Sequence, residues 1–216
     1  MHKLWLRCAI VAVAVAACVL SLAAKDFIKP VAHPAKTYAA HDAHPDEKVA
    51  IGADPYDTNE KAKIFTINFR GHDLLPIFFI VTNDGDQPIS IANMQVTLTI
   101  GHRAHLTPIA TDDIYRRLSN PQAHDNQDIP FPFPRTKVKG AVTRKEMDEI
   151  ESSQFAAKAV EPHGTQSGFL FFDVEDIDSP LNGSSLSVTG VDDASGKELM
   201  YFEIPLSKYL NATPAK

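Results

Sequence analysis

A mainly β body, an antiparallel sandwich of about seven strands behind an export segment, is the fold class this sequence predicts. Three observations predict it. From Val49 onward the apolar residues gather into short runs bounded by turn signals, as in sandwiches and barrels. Met94, Val96, Leu98 and Ile100 alternate with Gln95, Thr97 and Thr99, which places every apolar side chain on one face of a strand. Leu75 to Val81 is a nearly continuous apolar run rich in β-branched and aromatic residues, as a central strand covered on both faces requires.

The N-terminus reads as a signal sequence over residues 1–24. Lys3 and Arg7 precede Ala9 to Ala24, an uncharged run of 16 residues, shorter than the roughly 20 needed to cross a hydrocarbon core. Three fates remain open. Ser21 and Ala23 suit a signal peptidase cutting after Ala23, which would release a soluble secreted or periplasmic protein. Val15, Ala16, Ala17 and Cys18 resemble the bacterial lipobox, with residues 1–17 as a lipoprotein signal and Cys18 as the lipidation candidate; its thiol is the nucleophile that would take a diacylglycerol. An uncleaved anchor is the third.

Residues 25–48 carry Pro30, Pro34 and Pro45 without apolar periodicity and are expected to be a flexible linker. The β domain then spans 49–206, with 207–216 as a tail. Ile64 to Phe69 alternates loosely. Asn83, Asp84, Gly85 and Asp86 before Pro88 predict a hairpin reversal after the central strand. Gly168 to Val174, Leu186 to Val191 and Leu199 to Ile204 repeat the strand signal, the last two joined through Asp192 to Lys197.

A non-β excursion interrupts the domain over 111–155, longer than ordinary connections. It predicts two short helices. Thr111 to Leu118 is acidic at its start and basic at its end, matching the helix dipole. The second begins with Thr143 and Glu146 at capping-box spacing, with Met147, Ile150, Glu151 and Phe155 outlining its packed stripe. Between them, Phe131 and Phe133 alternate with prolines, have no periodic element to bury them, and are candidates for partner contact.

Composition removes several functions. Both cysteines lie in the N-terminal segment, so the body has no thiol for a disulfide, a zinc thiolate site or a nucleophile. The formal charge of −6 disfavours nucleic acid and anionic lipid. No Gly-rich phosphate loop, nucleophile elbow or metalloprotease helix is present. No catalytic residue and no cofactor are expected. His41, Asp42, His44 and Asp46 are weak metal-ligand candidates, since the types suit zinc or copper but the segment lacks a scaffold.

The stretch Leu75 to Asn83, the turn to Pro88, the strand Asn93 to Ile100, and Val160 to Gly164 feeding Ser167 to Val174 together resemble the immunoglobulin-like sandwich domains of bacterial lipoproteins and secreted proteins. The resemblance implies an immunoglobulin-like fold in the cell envelope. Fold alone does not imply function. The expected role is a non-enzymatic binding or structural module that contacts an envelope protein or surface, attached to the membrane through an N-terminal lipid or signal anchor. Two alternatives stay open: a metal-binding protein or metal-dependent enzyme using the linker and loop histidines, and a carrier of a small hydrophobic ligand.

Overall fold

The computed structural model describes residues 27–101, 104–119 and 142–212. The chain is mainly β, and its strands pair antiparallel. Along it run β1 (Ala40–His44), β2 (Val49–Pro55), α1 (Asn59–Ala62), β3 (Leu74–Asn83), β4 (Ile89–Ser90), β5 (Gln95–Ile100) and β6 (Ala104–Leu106). There follow α2 (Thr111–Ser119), α3 (Arg144–Ser153), β7 (Ala159–Val160), β8 (Gly164–Asp173), β9 (Ser184–Thr189), β10 (Phe202–Pro205) and α4 (Ser207–Asn211). One sheet has the order β1-β2-β3-β8, a second β10-β9-β5-β6, and β4 and β7 form a small third.

All ten residues of β3 are buried. Alternation sends them to two different cores. Leu75, Ile77, Phe79 and Val81 face the second sheet and pack with Val96, Leu98, Leu186, Val188, Phe202 and Ile204. Leu74, Phe78 and Ile80 face outward into another cluster, with Phe65, Phe69, Ile114, Ile150, Phe169 and Phe171. The first sheet is therefore a middle layer, between the second sheet on one side and helices and loops on the other.

The predicted helices occupy Thr111–Ser119 and Arg144–Ser153, and Thr143 with Glu146 makes the complete capping box at the start of α3. The packed face of α3 differs from expectation. Glu149, Ile150 and Ser153 are buried, whereas Met147 and Glu151 turn outward.

Three further expectations are corrected. Of the residues read as a linker, 27–48 belong to the folded body: Pro34 opens a 3-10 turn over Ala35–Thr37, and Ala40–His44 pairs with Val49–Ala53 as an edge strand. Ile64 to Phe69 keeps its alternation, with Phe65, Ile67 and Phe69 buried, yet joins no sheet. Its Thr66 and Ile67 N–H groups donate to the Glu149 carboxylate rather than to a neighbouring strand. The reversal after β3 is not a hairpin, because β4 pairs with β7 and the chain crosses to the second sheet. Buried Asn83 shapes that turn: its Oδ1 accepts from Gly85 N–H at 2.9 Å, and its Nδ2 donates to the carbonyls of Gln87 and Val160. The β9–β10 pair forms as expected. The tail is helical over α4, where Tyr209 donates to Asp57 Oδ1 at 2.8 Å.

The chain before β1 crosses the outer face of the first sheet as a strap. Phe27 stacks on Phe65 at 5.5 Å, Lys29 Nζ donates to the Ser167 carbonyl at 2.6 Å, and Ala35 N–H donates to Thr82 Oγ1 at 2.9 Å. Gly52 makes the crossing possible, since a Cβ there would lie 2.9 Å from the Ala35 carbonyl oxygen.

Candidate functional site

The helical side of the molecule is assembled by charged groups turned inward. The Glu149 carboxylate accepts from Thr66 N–H at 2.9 Å, from Ile67 N–H at 3.3 Å and from the Thr66 hydroxyl. Arg117, almost fully enclosed, donates to Asp173 and to Glu175 at 3.2 Å, which ties α2 to the end of β8. Between the helices, Tyr115 donates to Glu151 at 3.0 Å and Thr111 to Gln154 at 2.9 Å. Burial first, and the neighbouring Glu151 carboxylate second, push the Tyr115 hydroxyl up to about 12. These contacts hold α2 and α3, which flank the central part of the excursion in sequence. Phe131 and Phe133 lie in that part, outside the described residues, as do Cys18 and Ala23.

A groove of about 460 Å³ opens where β3 begins, β8 ends and α4 passes. Leu74, Leu75 and Leu181 floor it, and Asp57, Asp73 and Asp178 stand along it with Arg70 as the single base. Arg70 is engaged by the Asp57 carbonyl at 2.6 Å. An apolar floor below carboxylates suits a small amphipathic cation. Beside it, Lys61 pairs with Asp54 at 2.5 Å and lies over the Tyr209 ring at 4.3 Å, a cation–π arrangement that fastens α4 to the body. Burial raises the Asp54 carboxyl, against the opposing pull of Lys61. Burial also raises the Tyr56 and Tyr209 hydroxyls, aided by Asp54 at Tyr56 and by Asp57 at Tyr209.

Of the weak metal candidates, the fold brings together only His44 and Asp42. His41 and His44 are three apart on β1, so they point to opposite faces. His41 Nδ1 is 2.7 Å from the Tyr38 carbonyl oxygen. His44 stacks on Phe202 at 4.0 Å, with its nitrogens 2.8 Å from Glu47 and 3.5 Å from Asp42. Asp46 is exposed in the turn to β2. Among the described residues, no group of three or more histidine, cysteine or acidic side chains is placed to hold a metal ion. His105 lies in β6 beside Thr99.

Glu149 and Arg117 went unrecognised in the sequence as inward-facing groups. Glu149 carries one weak signal, its position next to Ile150 on a capped helix. Its receptor is a segment more than eighty residues away, and no local pattern announces that.

Among the described residues, no helix is long and apolar enough to cross a membrane. Compared with known proteins, the chain matches no family model, no curated protein and no solved structure.

Proposed function

We propose that this chain is an exported, non-enzymatic envelope module, with an immunoglobulin-like two-sheet body held at a membrane through Cys18, that binds a partner through the central part of its excursion. One observation carries the binding role. Residues 120–141 connect α2 to α3, which are docked to each other by Tyr115–Glu151, to the end of β8 by Arg117 and to the segment 64–69 by Glu149. A segment presented from a fixed base binds with less ordering cost than one on a free linker. The Phe131 and Phe133 side chains are its apolar anchors.

Cross-linking in intact cells tests the role. The partner cross-link is expected to disappear when residues 119–142 are replaced by a short Gly-Ser bridge that leaves the melting transition in place; an unchanged cross-link refutes it. Intact mass of the mature protein tests the anchor. An acylated Cys18 in the detergent-soluble fraction is the expected result, and a free Ala24 in the aqueous fraction refutes it.

The groove at the start of β3 favours a second reading, a carrier of a small amphipathic cation. It predicts a rise in melting temperature with ligand concentration, and a flat response to a series of alkylamines removes it.

A further inference from the structure

We propose that the strap Phe27–Pro34 is a membrane-contacting foot, with Ile28 and Val31 resting in the interfacial zone of the bilayer that anchors the chain. This inference rests on the anchored reading above.

Ile28 and Val31, 79% and 78% exposed, are the two most exposed large hydrophobic residues among those described, and they lie three positions apart. Phe27 and Lys29 turn the other way, while His33, two positions beyond Val31, is exposed at the strap's far end. Phe27 stacks on Phe65, and Lys29 carries its ammonium inward to the Ser167 carbonyl. The strap thus offers the outside two branched aliphatic side chains, with the Lys29 ammonium that lies between them in sequence engaged by the Ser167 carbonyl. Scattered exposed apolar residues need no explanation, but these two occupy the segment by which the body joins the apolar run ending at Ala24.

Chain length says what covers them. From Cys18 to Phe27 a fully extended chain reaches at most about 30 Å, and from Ala24 only about 10 Å. The body itself is about 40 Å across at this size. Whichever residue carries the anchor, the strap is the part of the body kept nearest the bilayer, and interfacial aliphatic contacts add to what a lipid anchor supplies. The net negative charge of the chain disfavours an anionic surface, so the contact is apolar and the matching surface is a zwitterionic one.

The test uses the full processed chain reconstituted in phosphatidylcholine vesicles that carry a nitroxide at the headgroup level. A fluorophore is attached at Ile28→Cys, or at Ser187→Cys on the outer face of the second sheet; the body has no cysteine of its own. The label at position 28 is expected to be quenched at least about twofold more than the label at 187, and adding Val31→Asp to lower that difference without moving the melting transition. Equal quenching in protein that floats with the vesicles overturns the foot and leaves the anchor standing. Protein that does not float overturns the anchored reading. Shielding of position 28 from aqueous iodide without quenching by the lipid nitroxide indicates a protein partner there, and overturns the foot as well.

Discussion

Replacing Glu149 with alanine tests whether one carboxylate ties α3 to the segment 64–69. The side chain is buried and accepts two backbone N–H groups and one hydroxyl from Thr66 and Ile67. Alanine leaves the Ile67 N–H without an acceptor in a buried position, which costs about 1–3 kcal/mol. Thr66 is exposed, so water replaces its lost acceptor and the net loss there is about 1 kcal/mol. The sum is about 3 kcal/mol, or about 6–12 °C in a domain of this size. Urea unfolding, with the slope checked against the parent, measures it. Glutamine keeps one acceptor oxygen and is expected to cost about half as much. An alanine variant within about 1 kcal/mol of the parent, or a glutamine variant as costly as alanine, refutes the clamp.

Two glycines separate packing from backbone conformation. A Cβ at Gly168 would lie 2.4 Å from the Phe155 Cα, while Gly196 has φ +82° and nothing within 4 Å. Gly168→Ala is expected to lose several kcal/mol and release the chain after α3, and Gly196→Ala about 1 kcal/mol, both read by urea unfolding; equal losses would contradict the close approach. The tyrosines set an alkaline limit. Tyr56, Tyr115 and Tyr209 are all raised above the ordinary value of 10 in the folded state, so their contribution is complete below pH 10 and is lost as pH rises through the folded values, for Tyr115 about 12. Absorbance at 295 nm is expected to show them ionising later than tyrosine in the unfolded chain, and simultaneous ionisation would refute their enclosure.

Legibility followed the range of the forces involved. Alternation in β5, doubly covered burial in β3 and the Thr143–Glu146 box are set by neighbours within a few residues, and each element forms where its pattern lies. The alternation of Phe65, Ile67 and Phe69 predicts its buried side chains correctly and its ladder wrongly. Period two reports which way side chains point, while strand identity depends on what receives the backbone N–H groups, here a distant carboxylate. The residues through β1 look like a tether because proline and polar residues hide a 3-10 turn and an edge strand whose buried members are only alanines, Ala35 in the turn and Ala40 in the strand. Alanine packs closely against a sheet but contributes almost nothing to an apolar pattern.

The pairing of β3 with β8 has a consequence for the order in which the molecule can be made. β8 is the last strand of the first sheet and covers the open side of β3, yet their register joins Leu74 to Asp173 and Asn83 to Gly164, so closure spans roughly ninety residues of chain. A chain emerging from its N-terminus can build β1, β2 and β3 early, since those pair as sequence neighbours. Until Gly164–Asp173 has emerged, Leu74–Asn83 then stands as an uncharged edge strand with its free side open. Such an edge is a template for like strands on other copies. The interval of synthesis or translocation between Asn83 and Asp173 is therefore the stage at which this protein is most prone to aggregate, and slowing it should reduce yield of the folded molecule more than any change at its surface.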